Sequence, residues 1–331
     1  MKHLAGIIFF ISLTALLSAP LFSLTIKMGS PAPEGSPWDN ALKKISSEWR
    51  AASGGKIDLK IYPGGIVGNE ADMVRKMRIG QLQAAVFTSM GMSYITPEVI
   101  SLSLPFLVHN DKELEYLMNK TRQEFESLID KKGFIVVTWS KVGWLNFFST
   151  KPVLYPRDLK QLKLSVADSE PQLLQAWRVM GYNALPLPTT DVMISLQNGM
   201  VEAIYTTPLV AASFQWFGIA NNMCALRISP MIGGFVVTKK TWKEIPGDIQ
   251  PKLVKIARQV VEELYPETIT LEKKAIDTMK KHGLKIHEVP PDAIKAWEKE
   301  ARDGYDVYVG KTFSRDLLEK IRKYLKEYRD K

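Results

Sequence analysis

Cysteine is almost absent. Its one occurrence, Cys224, excludes an internal disulfide and any CxxC redox or zinc motif, and lies too far along to carry a lipid after a leader. Histidine is scarce too: beyond His3 there are His109, His282 and His287, with no HExxH spacing to hold a metal. No GxSxG nucleophile elbow occurs. Gly54-Gly55-Lys56-Ile57 lacks the spacing and hydroxyl of a phosphate loop, and Pro63–Gly68 lacks the GxGxxG fingerprint of a dinucleotide site. Long runs of one charge sign are also missing; basic residues cluster only in pairs such as Lys43-Lys44, Lys239-Lys240 and Lys280-Lys281. A net charge of +9 spread in this way argues against a nucleic-acid partner. The basic C-terminal stretch repeats Leu317, Leu318, Ile321, Leu325 and Tyr328 at helical spacing, the mark of an amphipathic helix with a solvated basic face. Paired acids such as Glu262-Glu263 leave a carboxylate-dependent hydrolase open as the enzymatic alternative. No cofactor is implied.

One long apolar run is present. Lys2 and His3 precede Leu4–Leu17, and Ser18, Ala19, Pro20 and Ser23 supply a small-residue exit. This reads as a signal peptide over residues 1–23, with Ser23 and Ala19 as alternative last leader residues, or as a tether if uncleaved. The expected protein is exported.

The remaining chain alternates strand and helix patterns. Leu24–Gly29 and Ile57–Tyr62 alternate as strands, Trp38–Ala52 has helical spacing and closes on Gly54-Gly55, and Asn69–Ile79 is a second helix. Leu82–Thr88, Lys132–Trp139, Leu145–Ser149, Leu162–Val166 and Ala203–Thr206 read as further strands, and Phe235–Thr238 as one that re-enters the first domain. Residues 248–282 are helical around Pro266, long enough to lie across two lobes. The pattern implies an α/β protein of two lobes, each a mixed sheet flanked by helices, with a cleft where the chain crosses. Lobe 1 is expected from 24–143 and 233–280, and lobe 2 from 144–232 and 281–331.

Three segments carry a family resemblance. Ser53–Glu70 contains Gly-Gly-Lys-Ile, then Tyr62-Pro-Gly-Gly and Gly68-Asn-Glu70; Asn146–Val166 contains Pro156-Arg-Asp-Leu-Lys and Leu162-Lys-Leu-Ser-Val166; Met180–Glu202 contains Pro186-Leu-Pro and Leu196-Gln-Asn-Gly-Met-Val-Glu202. In this order they resemble the receptor subunit of TRAP (tripartite ATP-independent periplasmic) transporters, the DctP-like family. The resemblance implies a periplasmic solute-binding receptor, not an enzyme, whose lobes close over a small molecule. Its implied partners are membrane permease subunits driven by an ion gradient; some relatives also work with a periplasmic helical-repeat protein. It implies a cleft near Trp38, Glu70, Thr88, Ser89, Met90, Trp139, Leu145, Asn146, Ser165, Thr189, Tyr205 and Thr206.

One departure bears on the solute. The family's arginine that pairs with an organic acid falls at Ser165, and a second arginine used by some members falls at Leu145. A carboxylate buried without its partner costs about 3–5 kcal/mol, whereas a serine hydrogen bond returns about 1 kcal/mol. Arg157, Arg178 and Arg227 match no anchor position. The expected ligand is therefore neutral or largely apolar, an amphiphile with an acyl chain included. A carboxylate receptor with a rearranged anchor is the alternative, and an apolar groove that presents itself to another exported protein is a third reading.

Overall fold

The computed structural model describes residues 23–167 and 171–331, so the expected leader lies outside the described residues. Among the described residues no helix is long and apolar enough to cross a membrane. The strands are β1 (Leu24–Gly29), β2 (Ile57–Tyr62), β3 (Ala84–Thr88), β4 (Phe134–Trp144), β5 (Asn146–Ser149), β6 (Lys163–Ala167), β7 (Asn183–Leu187), β8 (Ala203–Thr206), β9 (Asn222–Cys224), β10 (Pro230–Thr238) and β11 (Lys285–His287). They form two sheets, of order β2-β1-β3-β10-β4 and β11-β9-β5-β8-β6-β7. In the first, β1 runs parallel to β2 and β3, while β10 runs antiparallel to β3 and β4. The second is mixed in the same way, with β5 antiparallel to its neighbours β8 and β9 and β6 parallel to β7 and β8. The two-lobed α/β architecture is thus present, and β10 is the expected return strand.

Local chemistry places the elements that reach the cleft. Ser36 caps helix Pro37–Ala52 by accepting from Asp39 N at 3.3 Å, and Pro37 fits the first turn, where no N–H is needed. Leu42, Ile45 and Trp49 recur at helical spacing and are buried against the first sheet; the Trp49 ring stacks on Phe235 at 5.3 Å. Asn69 caps helix Glu70–Arg78 in the same manner, accepting from Asp72 N at 2.9 Å. This cap puts Glu70 in the first turn, beneath the end of β3.

Two segments carry the chain between sheets. Leu145 joins β4 to β5, and residues 225–229 lead from β9 to β10. They bond to each other: Leu145 N donates to Ser229 O at 3.0 Å, and Ile228 N donates to Leu145 O at 2.9 Å. The third connection is helix Gln250–Lys281, which continues through Pro266. Its N-terminal half buries Leu253, Ala257 and Val260 under the first sheet, and Met279 near its end packs with Phe148 and Ile204 of the second.

Some elements differ from the pattern reading. β4 does not stop at Trp139 but continues to Trp144, because β10 pairs with it along its length. Helix Asp111–Lys131, unassigned from pattern, presents Leu114, Leu117, Phe125 and Ile129 to the first-sheet core. The C-terminal helix Arg315–Arg329, expected with the second lobe, packs its Leu317, Leu318, Ile321 and Leu325 in that same core. Burial of each such side chain is worth about 1.5–3 kcal/mol. Arg329 fixes the end of this helix, donating to Glu113 Oε1 at 3.0 Å and Oε2 at 2.7 Å.

Candidate ligand-binding site

A cavity of about 410 Å³ lies between the two sheets. From the first lobe come the Pro31–Pro33 turn, Trp38, Glu70 and the end of β3 with the helix turn after it. From the second come Ser165, Ala167, Leu173, Trp177, Leu187, Thr189, Tyr205, Thr206, Phe214 and Trp216. The crossing segments close the back with Leu145, Ile228, Ser229 and Pro230. Hydroxyls of Thr88, Ser89, Ser103, Ser140, Ser165, Thr189, Tyr205, Thr206, Ser229 and Tyr308 belong to its walls, among mostly apolar side chains.

Among the described residues of that wall, Glu70 is the one with an acidic or basic side chain. Burial drives its carboxyl above the ordinary carboxylate range, against which Thr88 works by donating its backbone N–H to Oε1 at 2.5 Å and its hydroxyl to Oε2 at 2.9 Å. The same Thr88 hydroxyl accepts from Gly91 N at 3.3 Å, starting the turn Ser89–Ser93. Gly91 has to be glycine here: an added Cβ would sit 2.3 Å from Glu70 Oε1. Glu70, Thr88 and Gly91 are therefore one locked unit.

No lysine, arginine or histidine lines the cavity among the described residues. The undescribed positions between Ala167 and Leu173 hold Asp168, Ser169 and Glu170, none of them a cation. The three unmatched arginines are engaged elsewhere. Arg157 lies 4.1 Å over the Tyr155 ring, Arg178 Nε donates to Ala184 O at 3.1 Å, and Arg227 approaches Asp111 Oδ2 at 4.0 Å. Lys141, between two cavity-lining residues on β4, lies instead 4.2 Å over the Tyr265 ring. Among the described residues no cluster of His, Cys, Asp and Glu is arranged to hold a metal. Cys224 is buried and its thiol is pushed up to about 11 by that burial, which makes it a poor nucleophile.

Of the residues expected at the cleft, Trp38, Glu70, Thr88, Ser89, Met90, Leu145, Ser165, Thr189, Tyr205 and Thr206 converge on the cavity. Trp139 and Asn146 do not. Side chains alternate along β4, so Ser140 and Val142 face the cavity while Trp139 turns to helix Asp111–Lys131, donating to Glu126 Oε1 at 3.2 Å. Asn146 spends its amide on Cys224 O and Leu226 O, each at 3.0 Å, and so pegs β5 to the outgoing crossing segment. Trp177, Phe214, Trp216 and Tyr308 line the cavity without having been expected there. Trp177 carries the apolar spacing of a core helix, and nothing in that pattern separates a cavity wall from a core.

Residues 28–312 match the model of the bacterial extracellular solute-binding protein family 7. The chain is 24% identical over 288 residues to the 2,3-diketo-L-gulonate-binding periplasmic protein YiaO of Escherichia coli K12, covering 84% of this chain and 85% of that one. A TRAP periplasmic solute-binding protein of Chromohalobacter salexigens, solved with bound D-glucuronate, superposes with a TM-score of 0.83 at 23% identity, over 91% of this chain and 99% of the other. Another from Sulfurospirillum deleyianum, solved with succinate, gives a TM-score of 0.79 at 20% identity, over 90% and 98% of the two chains. Those ligands are acids, so these relatives lend no support to the expectation of a hydrophobic or lipid-like solute, which is drawn from Ser165 and Leu145.

Proposed function

As the chain belongs to the bacterial extracellular solute-binding protein family 7, the receptors of TRAP-type transport, we propose that it captures an uncharged, largely apolar solute in the periplasm and delivers it to membrane permease subunits. The observation that carries this reading is a cavity wall that holds, among the described residues, no cation and one carboxyl, that of Glu70. A carboxylate entering it leaves water, gains no ion pair and meets a second carboxyl. That loss amounts to about 3–5 kcal/mol, or two to three orders of magnitude in affinity. A neutral molecule pays none of it. The hydroxyls around Ser165 and Ser229 fix its orientation, and Trp38, Leu173, Phe214 and Trp216 supply apolar contact. The relatives are named as solute-binding proteins, which supports binding rather than catalysis. Lobes 24–143 with 233–280 and 144–232 with 281–314 form the two jaws in this reading, with the C-terminal helix riding on the first.

A second reading has its own support. Solved relatives hold D-glucuronate and succinate, which favours an acid held here by hydroxyls and backbone N–H groups. Calorimetric titration of ligand-stripped protein with succinate and D-glucuronate separates the two. The uncharged reading expects no saturable heat at micromolar ligand, and micromolar binding of either acid overturns it.

A further inference from the structure

We propose that the open face of the Phe214 ring is a stacking platform for the solute. The ligand class is then an uncharged molecule carrying a planar, unsaturated ring, rather than a wholly saturated one. This rests on the uncharged-solute reading for the ligand's charge and adds its shape.

Among the described residues, the exposed large apolar side chains are aliphatic or methionine, such as Ile66, Val179 and Met200, with one exception. Phe214 is that exception, 39% exposed, and it alone of the set belongs to the cavity wall. Trp216 and Trp177 line the same wall but are buried, 6% and 5% exposed. An apolar face kept in water is unfavourable, and a ligand that covers it recovers that cost. The bare ring thus coincides with the place a ligand occupies, and its surface is open to contact.

The backbone holds this ring in a particular attitude. Thr207 caps helix Pro208–Ser213 by accepting from Val210 N at 3.3 Å, and Phe214 N donates to Val210 O at 3.1 Å where the helix ends. Gln215 follows in the left-handed region, φ +57° and ψ +21°, and Trp216 opens the next turn. That conformation is unfavourable for a residue with a Cβ, and glycine usually fills it at a helix end. Across this strained residue Phe214 and Trp216 stand in a near-parallel stack, centroids 4.9 Å apart and planes 14° from each other. Trp216 backs one face of Phe214, so the ring needs little ordering, and its bare surface is the other face and the edge. The electron-rich face of an aromatic ring attracts the edge or offset face of a second ring beyond what apolar area alone supplies. From the first lobe the same cavity takes the flat rings of Pro31 and Pro33. With flat groups on both lobes, a planar ring makes fuller contact than a puckered one as the lobes close.

A matched pair of probes tests this on the ligand-stripped full mature protein: benzyl alcohol and cyclohexylmethanol, which share a hydroxymethyl group and differ in the ring. Each is titrated into wild type, F214L and F214W. The saturated ring is the more apolar, so the readout is the ratio of the two dissociation constants compared across the variants. F214L is expected to weaken both alcohols and to cost benzyl alcohol about two- to tenfold more, the worth of an aromatic pair beyond its area. F214W keeps a ring face and should hold the ratio within about twofold of wild type. An unchanged ratio in F214L, or an F214W ratio that falls to that of F214L, overturns the inference and leaves the uncharged-solute reading in place. Tighter binding of benzoate than of benzyl alcohol overturns that reading, while the F214L ratio still decides the stacking. Failure of both alcohols to bind at millimolar concentration overturns both.

Discussion

On the outer side of the crossover between lobes, Asp111 accepts from Trp144 Nε1 at 3.0 Å and from the Tyr265 hydroxyl, while Arg227 and Lys141 stand close by; on the inner side, one position along the same strands, the residues are Ser140, Val142, Leu145, Ile228 and Ser229. Strand alternation makes this separation possible: Lys141 turns outward between two residues that turn inward. Glu272 joins the outer set, its carboxyl held above the ordinary range by burial, with Arg227 working against the shift and Asp111 adding to it. Gly143 is needed there, since a Cβ would meet Glu272 Oε2 and Thr207 at 3.3 Å and its φ is +153°. The chain therefore has cations at its crossover and keeps them out of the cavity. The lack of a cation in the described cavity wall is a property of which face each charge takes, not of a shortage of charge.

The largest effect should come from erasing that difference. S165R places a cation on the cavity wall, where Ser165 is now 7% exposed. It is expected to weaken uptake of an uncharged ligand by about two to three orders of magnitude and to create binding of succinate, read by calorimetry. Unchanged specificity would show that Ser165 does not face the ligand.

Next, G91A tests the locked acid. With Glu70 clamped twice by Thr88, the added methyl has to displace the carboxylate or the turn, at about 1–3 kcal/mol of stability in denaturant unfolding. A variant as stable as wild type would mean that the cluster yields freely.

Outside the cleft, R329A leaves Glu113 without its bidentate partner. The expected loss is about 1–2 kcal/mol, below that of a fully buried pair because the Arg329 side chain is 37% exposed. Burial raises the Glu113 carboxyl, but the Arg329 guanidinium outweighs it and holds the group below its ordinary 4.5. A depressed carboxyl stabilises the fold above its unfolded value. The wild-type advantage over R329A should thus be full above about pH 4.5 and fade as pH falls through the lower folded value. An advantage that grows on acidification would contradict the pairing.

The smallest expected effect is at the charged side of the crossover. Y265F removes one donor to Asp111 and should cost about 1 kcal/mol in thermal unfolding while leaving ligand affinity unchanged. A large change in affinity would show that the two faces are not separate.

Much of this arrangement can be read from the chain alone. β1, β2 and the helices opening at Ser36 and Asn69 are visible as period and cap, and Leu145 and Ser165 stand out because neighbouring motifs fix their positions. Trp139 misleads for a physical reason: Phe134, Val136, Val137, Thr138 and Trp139 are all buried, so β4 is covered on both faces and has no polar side to tell inside from outside. The C-terminal helix is plain as an amphipathic helix, but its berth depends on Leu114, Leu117 and Phe125, nearly two hundred residues away and unassigned by pattern.

The most direct test of the uncharged cavity is native mass spectrometry of the protein purified from its periplasmic form, followed by organic extraction of whatever remains bound. The account expects an uncharged, largely apolar molecule, held one per chain. A stoichiometric carboxylate in that extract would contradict it.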